Sequence, residues 1–185
     1  IAALTPRLTE IPLGIAWQVA IKAVGDGEFD VQWAGAQAVT ALASRLTGTQ
    51  LDTAFQAVIK AAGDGDGFVQ CAGVRAMTAL APRLTGTQLE TTFQAVIKAV
   101  DDDYCCVREA GAEAIAELGP FLTGPQHDIA WQYAIKAAGD GHGRVRQVGA
   151  HVVPALVPHL TETQLARALQ DAINAASGSE WVTRQ

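Results

Sequence analysis

Residues 45–60 read RLTGTQLDTAFQAVIK, and residues 83–98 read RLTGTQLETTFQAVIK. Arg45 and Arg83 stand 38 residues apart, and the same step runs through the whole chain. Thr9, Thr47, Thr85, Thr123 and Thr161 form one column. Ile21, Ile59, Ile97, Ile135 and Ile173 form a second. Trp17, Phe55, Phe93 and Trp131 form an aromatic column that ends in Leu169, and a column of glutamines follows it. Lys22, Lys60, Lys98 and Lys136 form a basic one. No insertion breaks the step. A strict period of this size marks a stacked repeat, in which each unit buries its apolar face against its neighbours.

Each unit reads as two helices. Thr47-Gly48-Thr49-Gln50 has the spacing of a capping box, repeated at Thr85…Gln88, Thr123…Gln126 and Thr161…Gln164. The first unit has Thr9 but Pro12, so its box is incomplete. Leu51, Ala54, Phe55, Val58, Ile59 and Ala62 then fall at helical spacing and make one apolar stripe. Lys60 sits in the last turn, where a cation suits the helix dipole, and Gly63 is expected to supply the left-handed C′ position. After the connector Gly63-Asp64-Gly65-Asp66-Gly67, a second helix is expected from about Phe68 to Leu84. Gly35, Gly73, Gly111 and Gly149 recur in its middle. Glycine costs a helix about 1 kcal/mol relative to alanine, so its recurrence predicts a close helix approach there. Pro82, Pro120 and Pro158 are expected to bend or stop this helix near its end.

Bulk composition narrows the function classes. With 185 residues, 49% hydrophobic and 17% charged, the chain is too apolar for a disordered protein, and one domain is the default at this length. A net charge of −6 without a basic cluster argues against phosphate-backbone binding. No apolar run approaches the roughly 20 residues that cross a bilayer. Neither a basic start nor a long apolar core opens the sequence, so a signal peptide is not expected from these residues. The three cysteines, Cys71, Cys105 and Cys106, are odd in number and include an adjacent pair. They point to a reducing, cytoplasmic setting rather than a disulfide framework.

The turn and second helix resemble HEAT-type repeats, in the short prokaryotic variant. The turn aspartates are Asp26, Asp64, Asp102 and Asp140, and Val31, Val69, Val107 and Val145 open the second helix. The arginine place after each valine holds Arg108, Arg146 and Arg184, but Gln32 and Gln70 in the first two units. The resemblance implies a ladder of Asp–Arg bonds between neighbouring units. Glutamine can hydrogen-bond in that ladder but cannot pair as an ion. The resemblance covers essentially the whole chain. The marks of tetratricopeptide and ankyrin repeats are absent.

Sharper chemistry fails site by site. A calcium loop starting at Asp64 would need glycine at its sixth place and glutamate at its twelfth, which hold Val69 and Arg75. A nucleotide-binding glycine loop needs a preceding strand, and a helix precedes this one. His127, His142, His151 and His159 contain no helical i, i+4 zinc pair, although His151 and His159 fall within reach on one helix. Cys105-Cys106 opens a helix, where a thiolate is favoured, yet adjacent helical side chains diverge and no histidine stands beside them in sequence. The aromatic column lies mid-stripe and reads as core rather than a stacking surface. No catalytic, cofactor-binding or metal-binding residue is assigned.

One pattern points at function. The buried columns barely change from unit to unit, whereas one stripe of the second helix changes freely. Trp33, Cys71, Glu109 and Gln147 share a column. Gln37, Arg75, Glu113 and His151 follow four residues on, and Thr40, Thr78, Ala116 and Pro154 three later. These offsets share one helix face. In a HEAT-type stack the second helices line the concave side. A varied surface on a fixed scaffold fits a binding groove, and it also fits solvent-facing residues under no constraint. Trp33 favours the groove, since tryptophan is a common interface anchor.

The expectation is an all-α solenoid of 38-residue two-helix repeats, forming one array. Its register gives a tail of a preceding repeat (1–8), full repeats at 9–46, 47–84, 85–122 and 123–160, and a partial repeat (161–185). Beginning and ending inside a repeat, and lacking an initiator Met, the chain is expected to be a fragment of a longer protein. The expected function is non-catalytic protein binding through the concave face, as a scaffold or recognition module. Four alternatives stand beside it: an enzyme module like the bilin lyases or DNA glycosylases among HEAT-like proteins, a nucleic-acid binder, a passive spacer, and end-to-end self-association of a cut array. No membrane partner is expected.

Overall fold

The structure, a computed structural model, describes residues 10–178, with side chains over residues 13–170. The segments 1–8 and 179–185, with Thr9 and Arg184, lie outside it. Helices pair along the chain: α1 (Glu10–Val24) with α2 (Phe29–Leu42), α3 (Thr49–Ala62) with α4 (Gly67–Leu80), α5 (Gly86–Val100) with α6 (Cys105–Leu118), and α7 (Gly124–Ala138) with α8 (Gly143–Leu156). The last helix, α9 (Glu162–Gly178), follows as a first helix without a described partner. Among the described residues there is no strand, and no helix is long and apolar enough to cross a membrane. The chain is an all-α helical repeat solenoid.

The apolar stripes bury where their period places them. Phe55, Phe93 and Trp131 lie in the core with Val58, Val96 and Ala134. Leu169, in the same column at the end of the array, is 57% exposed because no further second helix covers it among the described residues. Val69, Val107 and Val145 are buried, whereas Val31, in the first described pair, is 39% exposed. Each interior unit is therefore completed by the one before it and the one after it. Ala62 and Leu89 pack against both halves of the core and join them into one strip.

The second helices pack closely on one another from α2 through α8, while the first helices touch more sparsely. A stack packed more tightly along one layer curves toward that layer, so the second helices form the inner face. The mid-helix glycines set the spacing within each pair. A Cβ at Gly35, Gly73, Gly111 or Gly149 would fall within 3.0 Å of backbone atoms near the end of the paired first helix. The repeated glycine thus reports a backbone-to-backbone approach, as its recurrence predicts.

Local boundaries differ from the expectation in three places. Gly63 ends α3 at φ −106° rather than in the left-handed region, because the chain leaves through a tight turn in which its amide donates to the Lys60 carbonyl at 3.1 Å. The second α-helix stops at Leu42, Leu80, Leu118 and Leu156, and a 3₁₀ turn follows in each unit. Pro82, Pro120 and Pro158 sit in that turn, since a proline ring cannot continue the i to i−4 ladder. The capping boxes are also uneven. Thr161 and Gln164 form the reciprocal box, with bonds of 3.0 and 3.3 Å, and the Thr123 amide donates to Gln126 Oε1 at 2.8 Å. At Thr47 and Thr85 no side-chain cap forms, because Gly48 and Gly86 take φ of +49° and redirect the entering backbone. The Gln88 amide turns instead to Asp52 of the preceding unit, at 2.9 Å.

Candidate functional site

Five aspartates of the inter-helix turns, Asp26, Asp64, Asp66, Asp102 and Asp140, accept from backbone amides. Asp66 Oδ1 accepts from the amides of Phe68 and Val69 at 2.9 and 3.1 Å, and so caps α4. Asp26, Asp64, Asp102 and Asp140 each accept from the amide two residues on. The GDGDG connector is therefore a turn whose carboxylates are engaged in shaping it. Across units, Arg108 pairs with Asp140, and Gln70 reaches Asp102 at a longer 3.4 Å. Gln32 turns back to the Asp26 carbonyl at 2.9 Å, and Arg146 to the carbonyls of Asp140 and Gly141. A second ladder was not foreseen. Gln88, Gln126 and Gln164 donate to Asp52, Glu90 and Asp128, each one unit back. The acids stand 36 residues before the glutamines, and that off-period spacing is the signal that could have shown it.

The sequence-selected stripe maps onto the inner layer. Trp33 and Gln37 lie on α2, Cys71 and Arg75 on α4, Glu109 and Glu113 on α6, and Gln147 and His151 on α8. Trp33, Gln37, Arg75, Gln147 and His151 are exposed; Cys71, Glu109 and Glu113 are half-buried. The structure brings the first four together. They line a cleft of about 480 Å³ between α2 and α4, with Thr40, Ala41 and Ala72. A second cleft of about 190 Å³ adjoins it between α4 and α6, lined by Arg75, Glu113 and Glu117 and sharing Thr40. Gln147 and His151 line neither. In the third column Thr78 is buried at the base of this second cleft, its hydroxyl donating to the Val74 carbonyl at 2.9 Å, while half-buried Thr40 lines both clefts.

Charges cross this face in pairs. Arg75 bridges from α4 to Glu113 on α6, and Arg144 from α8 to Glu109 at 3.1 Å. Partial burial works against the Arg75 guanidinium, but the Cys71 side chain and the Glu113 charge outweigh it and hold its pKa above the ordinary value. Burial, reinforced by Glu113, raises the Glu117 carboxyl above its ordinary range, and Arg75 only partly offsets this. Sequence reading missed Glu117, because alanine holds its place in the other full units at Ala41, Ala79 and Ala155.

Aromatic side chains extend the face toward the start of the second helices. Phe29, Trp33 and Phe68 are 51, 42 and 64% exposed, and with Asp30 they line a hollow of about 220 Å³. Phe29 and Phe68 fall in different columns, so no column singles them out.

The remaining candidates are placed elsewhere. Burial pushes the Cys106 thiol up, aided by Cys71 and Cys105, and its Sγ donates to the Gly67 carbonyl at 3.6 Å. For Cys106 that runs against the thiolate that a helix start favours. His159 lies in the 3₁₀ turn beyond α8 rather than on one helix with His151. It stacks on His127, with centroids 6.0 Å apart and rings 3° from parallel. His127 is buried and donates from Nε2 to the Gly119 carbonyl at 2.9 Å.

No family model matches the chain, and no curated protein matches it. Solved structures do. A designed armadillo repeat protein in complex with the peptide (KR)4 aligns with a TM-score of 0.55 and 16% identity, over 84% of this chain and 80% of that one. A second designed armadillo repeat protein aligns at 0.51 and 18%, over 74% of this chain and 63% of that one. An engineered protein aligns at 0.56 and 15%, over 79% and 65%. At these identities the likeness is one of fold: a helical repeat solenoid.

Proposed function

We propose that this chain is a non-catalytic protein-binding module that holds its partner along the inner face of the second helices. The observation that carries the reading is the groove itself. Trp33, Gln37, Cys71 and Arg75 converge from two units onto one cleft, and Arg75 continues it to Glu113 on a third. These are the positions that vary between units while the scaffold beneath them repeats. A preformed groove on a rigid stack loses little ordering entropy on binding. The peptide held by the designed armadillo neighbour is consistent with this use of such a fold. Within the helical repeat class we assign the chain to the HEAT type, on two helices per unit and on the Arg108–Asp140 bond between units. We place it in a reducing, cytoplasmic setting, which suits its free thiols.

The test is a pull-down from cell extract with the native array beside a Trp33→Ala, Arg75→Ala, Glu113→Ala variant, read by mass spectrometry. A partner held by the native array and lost by a still-folded variant is expected. Identical lists would reduce the stripe to ordinary solvated surface and leave the array a spacer.

A further inference from the structure

The groove differs chemically from end to end, and that difference selects a class of partner. At one end Phe29, Trp33 and Phe68 are all exposed around a hollow of about 220 Å³. Exposed aromatics gathered at a hollow offer a seat for one bulky apolar side chain. At the other end Glu113 and Glu117 face a single cation, Arg75. Glu113 takes the ion pair, and Glu117 makes none among the described residues. The face is thus short of one positive charge where the α4–α6 cleft opens, on a chain whose net charge is −6. Trp33 belongs to both the aromatic hollow and the central cleft, and Thr40 and Arg75 to both the central cleft and the acidic one. The groove is therefore continuous.

Its dimensions set the spacing of the two contacts for an extended occupant. Glu117 occupies the register place of Ala41, eight residues beyond Trp33, and lies on the second helix over. That is about 12 Å along the helix axis at 1.5 Å per residue, and about 18 Å across two helix spacings. The direct span is roughly 22 Å. An extended chain covers it in about six or seven residues at 3.3 Å each. At about 190 Å³ the acidic cleft takes a side chain.

We infer that the partner is an extended protein segment that seats a large apolar side chain among Phe29, Trp33 and Phe68 and sets a lysine or arginine against Glu113 and Glu117, about six or seven residues away. This rests on the groove reading proposed above and adds the sign of the partner's charge and the spacing of its two contacts. Burial and Glu113 raise the Glu117 carboxyl, and a partner cation beside it would oppose that shift. A second copy of this acidic chain, or an acidic peptide, would meet repulsion at that end.

The test is selection from a phage-displayed library of random twelve-residue peptides on the full chain at low salt. The selection is repeated on Trp33→Ala, Phe68→Ser and the double variant Glu113→Gln/Glu117→Gln, each verified as folded by circular dichroism. Enriched peptides are expected to carry an aromatic or large aliphatic residue with lysine or arginine six or seven positions away. A synthetic copy of the best peptide should lose on the order of 10-fold in affinity with the double glutamine variant, and added salt should shrink that loss. Enriched peptides without basic residues, or an affinity indifferent to the double variant, would overturn this inference and leave the groove reading standing. Failure to recover any peptide that depends on Trp33 or Phe68 would overturn both.

Discussion

Arg108 joins its own inter-helix turn to the next one. Its Nε donates to Oδ2 of Asp140 at 2.8 Å, and its Nη2 to Oδ1 at 3.1 Å. Its Nη1 meanwhile donates to the carbonyls of Asp102 and Asp103 at 2.9 and 3.0 Å. The two side chains are only 20 and 15% exposed, so this fork is less screened than the other ion pairs of the array. Planar, bidentate geometry of this kind is where arginine differs most from lysine or glutamine.

That geometry sets a pH dependence. The Arg108 bond holds the Asp140 carboxyl below its ordinary value of 3.8, and burial opposes the shift without reversing it. A carboxylate with a depressed folded-state pKa contributes stability that is present above the ordinary value and lost as the pH falls through the folded value. Arg108→Gln should therefore cost about 1–2 kcal/mol at neutral pH, and the difference from the native chain should narrow below the ordinary aspartate range. Urea midpoints at about pH 7 and about pH 3 read this directly. An equal gap at both pH values would mean that the bond is not what the substitution removes.

The neighbouring unit offers the converse experiment. Gln70 stands where Arg108 stands, and its amide reaches Asp102 at 3.4 Å, a single weak bond. Gln70→Arg is expected to raise the urea midpoint, by up to about 1 kcal/mol in stability, by restoring the fork. A midpoint that falls would show that the first units space their turns differently from the third and fourth.

Gly73 and Gly65 separate two uses of the same residue. A Cβ at Gly73 would meet the backbone of Ala61 and Ala62 closer than any real contact, whereas one at Gly65 meets nothing within 4 Å. Gly73→Ala should destabilise the array by about 2–3 kcal/mol, because backbone cannot swing aside and the helix-propensity gain of about 1 kcal/mol is smaller. Gly65→Ala should be neutral or stabilising by about 0.5 kcal/mol. Thermal melts of the pair would refute the close-approach account if the order were reversed.

What could be read from the sequence was whatever each unit must repeat. Phe55 and Phe93 meet the same neighbours one step apart, so the core, the pairing of helices and the glycine contact all recur at the step of the packing. What could not be read depends on contacts off that step. The Gln88 amide chooses Asp52 over its own Thr85 because of the backbone at Gly86, a choice that the capping-box spacing alone does not reveal. Thr78 shares a column with exposed Pro154 yet is buried, since α6 packs over α4 whereas no further second helix covers α8 among the described residues. Phe68 and Glu117 escaped notice because each is the exception in its column, and exceptions are visible only once space shows what surrounds them.

Glu117 gives an acid-side prediction of opposite sign to that of Asp140. Its carboxyl is raised above the ordinary 4.5 by burial first and by Glu113 second. A carboxyl with a raised folded-state pKa opposes folding when ionised, and that cost disappears as the pH falls and the proton returns. Glu117→Gln is therefore expected to raise stability at neutral pH, with the advantage vanishing below the ordinary 4.5. Urea midpoints across that range check it. A Glu117→Gln variant less stable than the native chain at neutral pH would mean that Arg75 stabilises this carboxylate more than burial and Glu113 disfavour it.

The aromatic end of the groove should separate stability from binding. Trp33 and Phe68 are 42 and 64% exposed, so folding gains little from them, whereas buried Phe93 has no exposed surface at all. Phe93→Ala is expected to cost about 3–5 kcal/mol through the cavity it leaves. Trp33→Ala and Phe68→Ser should each stay within about 1 kcal/mol of the native chain in urea midpoint. The same two variants should lose the partner captured by the native array. Large aromatics that are costly to expose and unneeded for folding are retained for a surface that is covered in the complex. If Trp33→Ala unfolds the array as Phe93→Ala does, Trp33 belongs to the core, and the groove has lost its anchor.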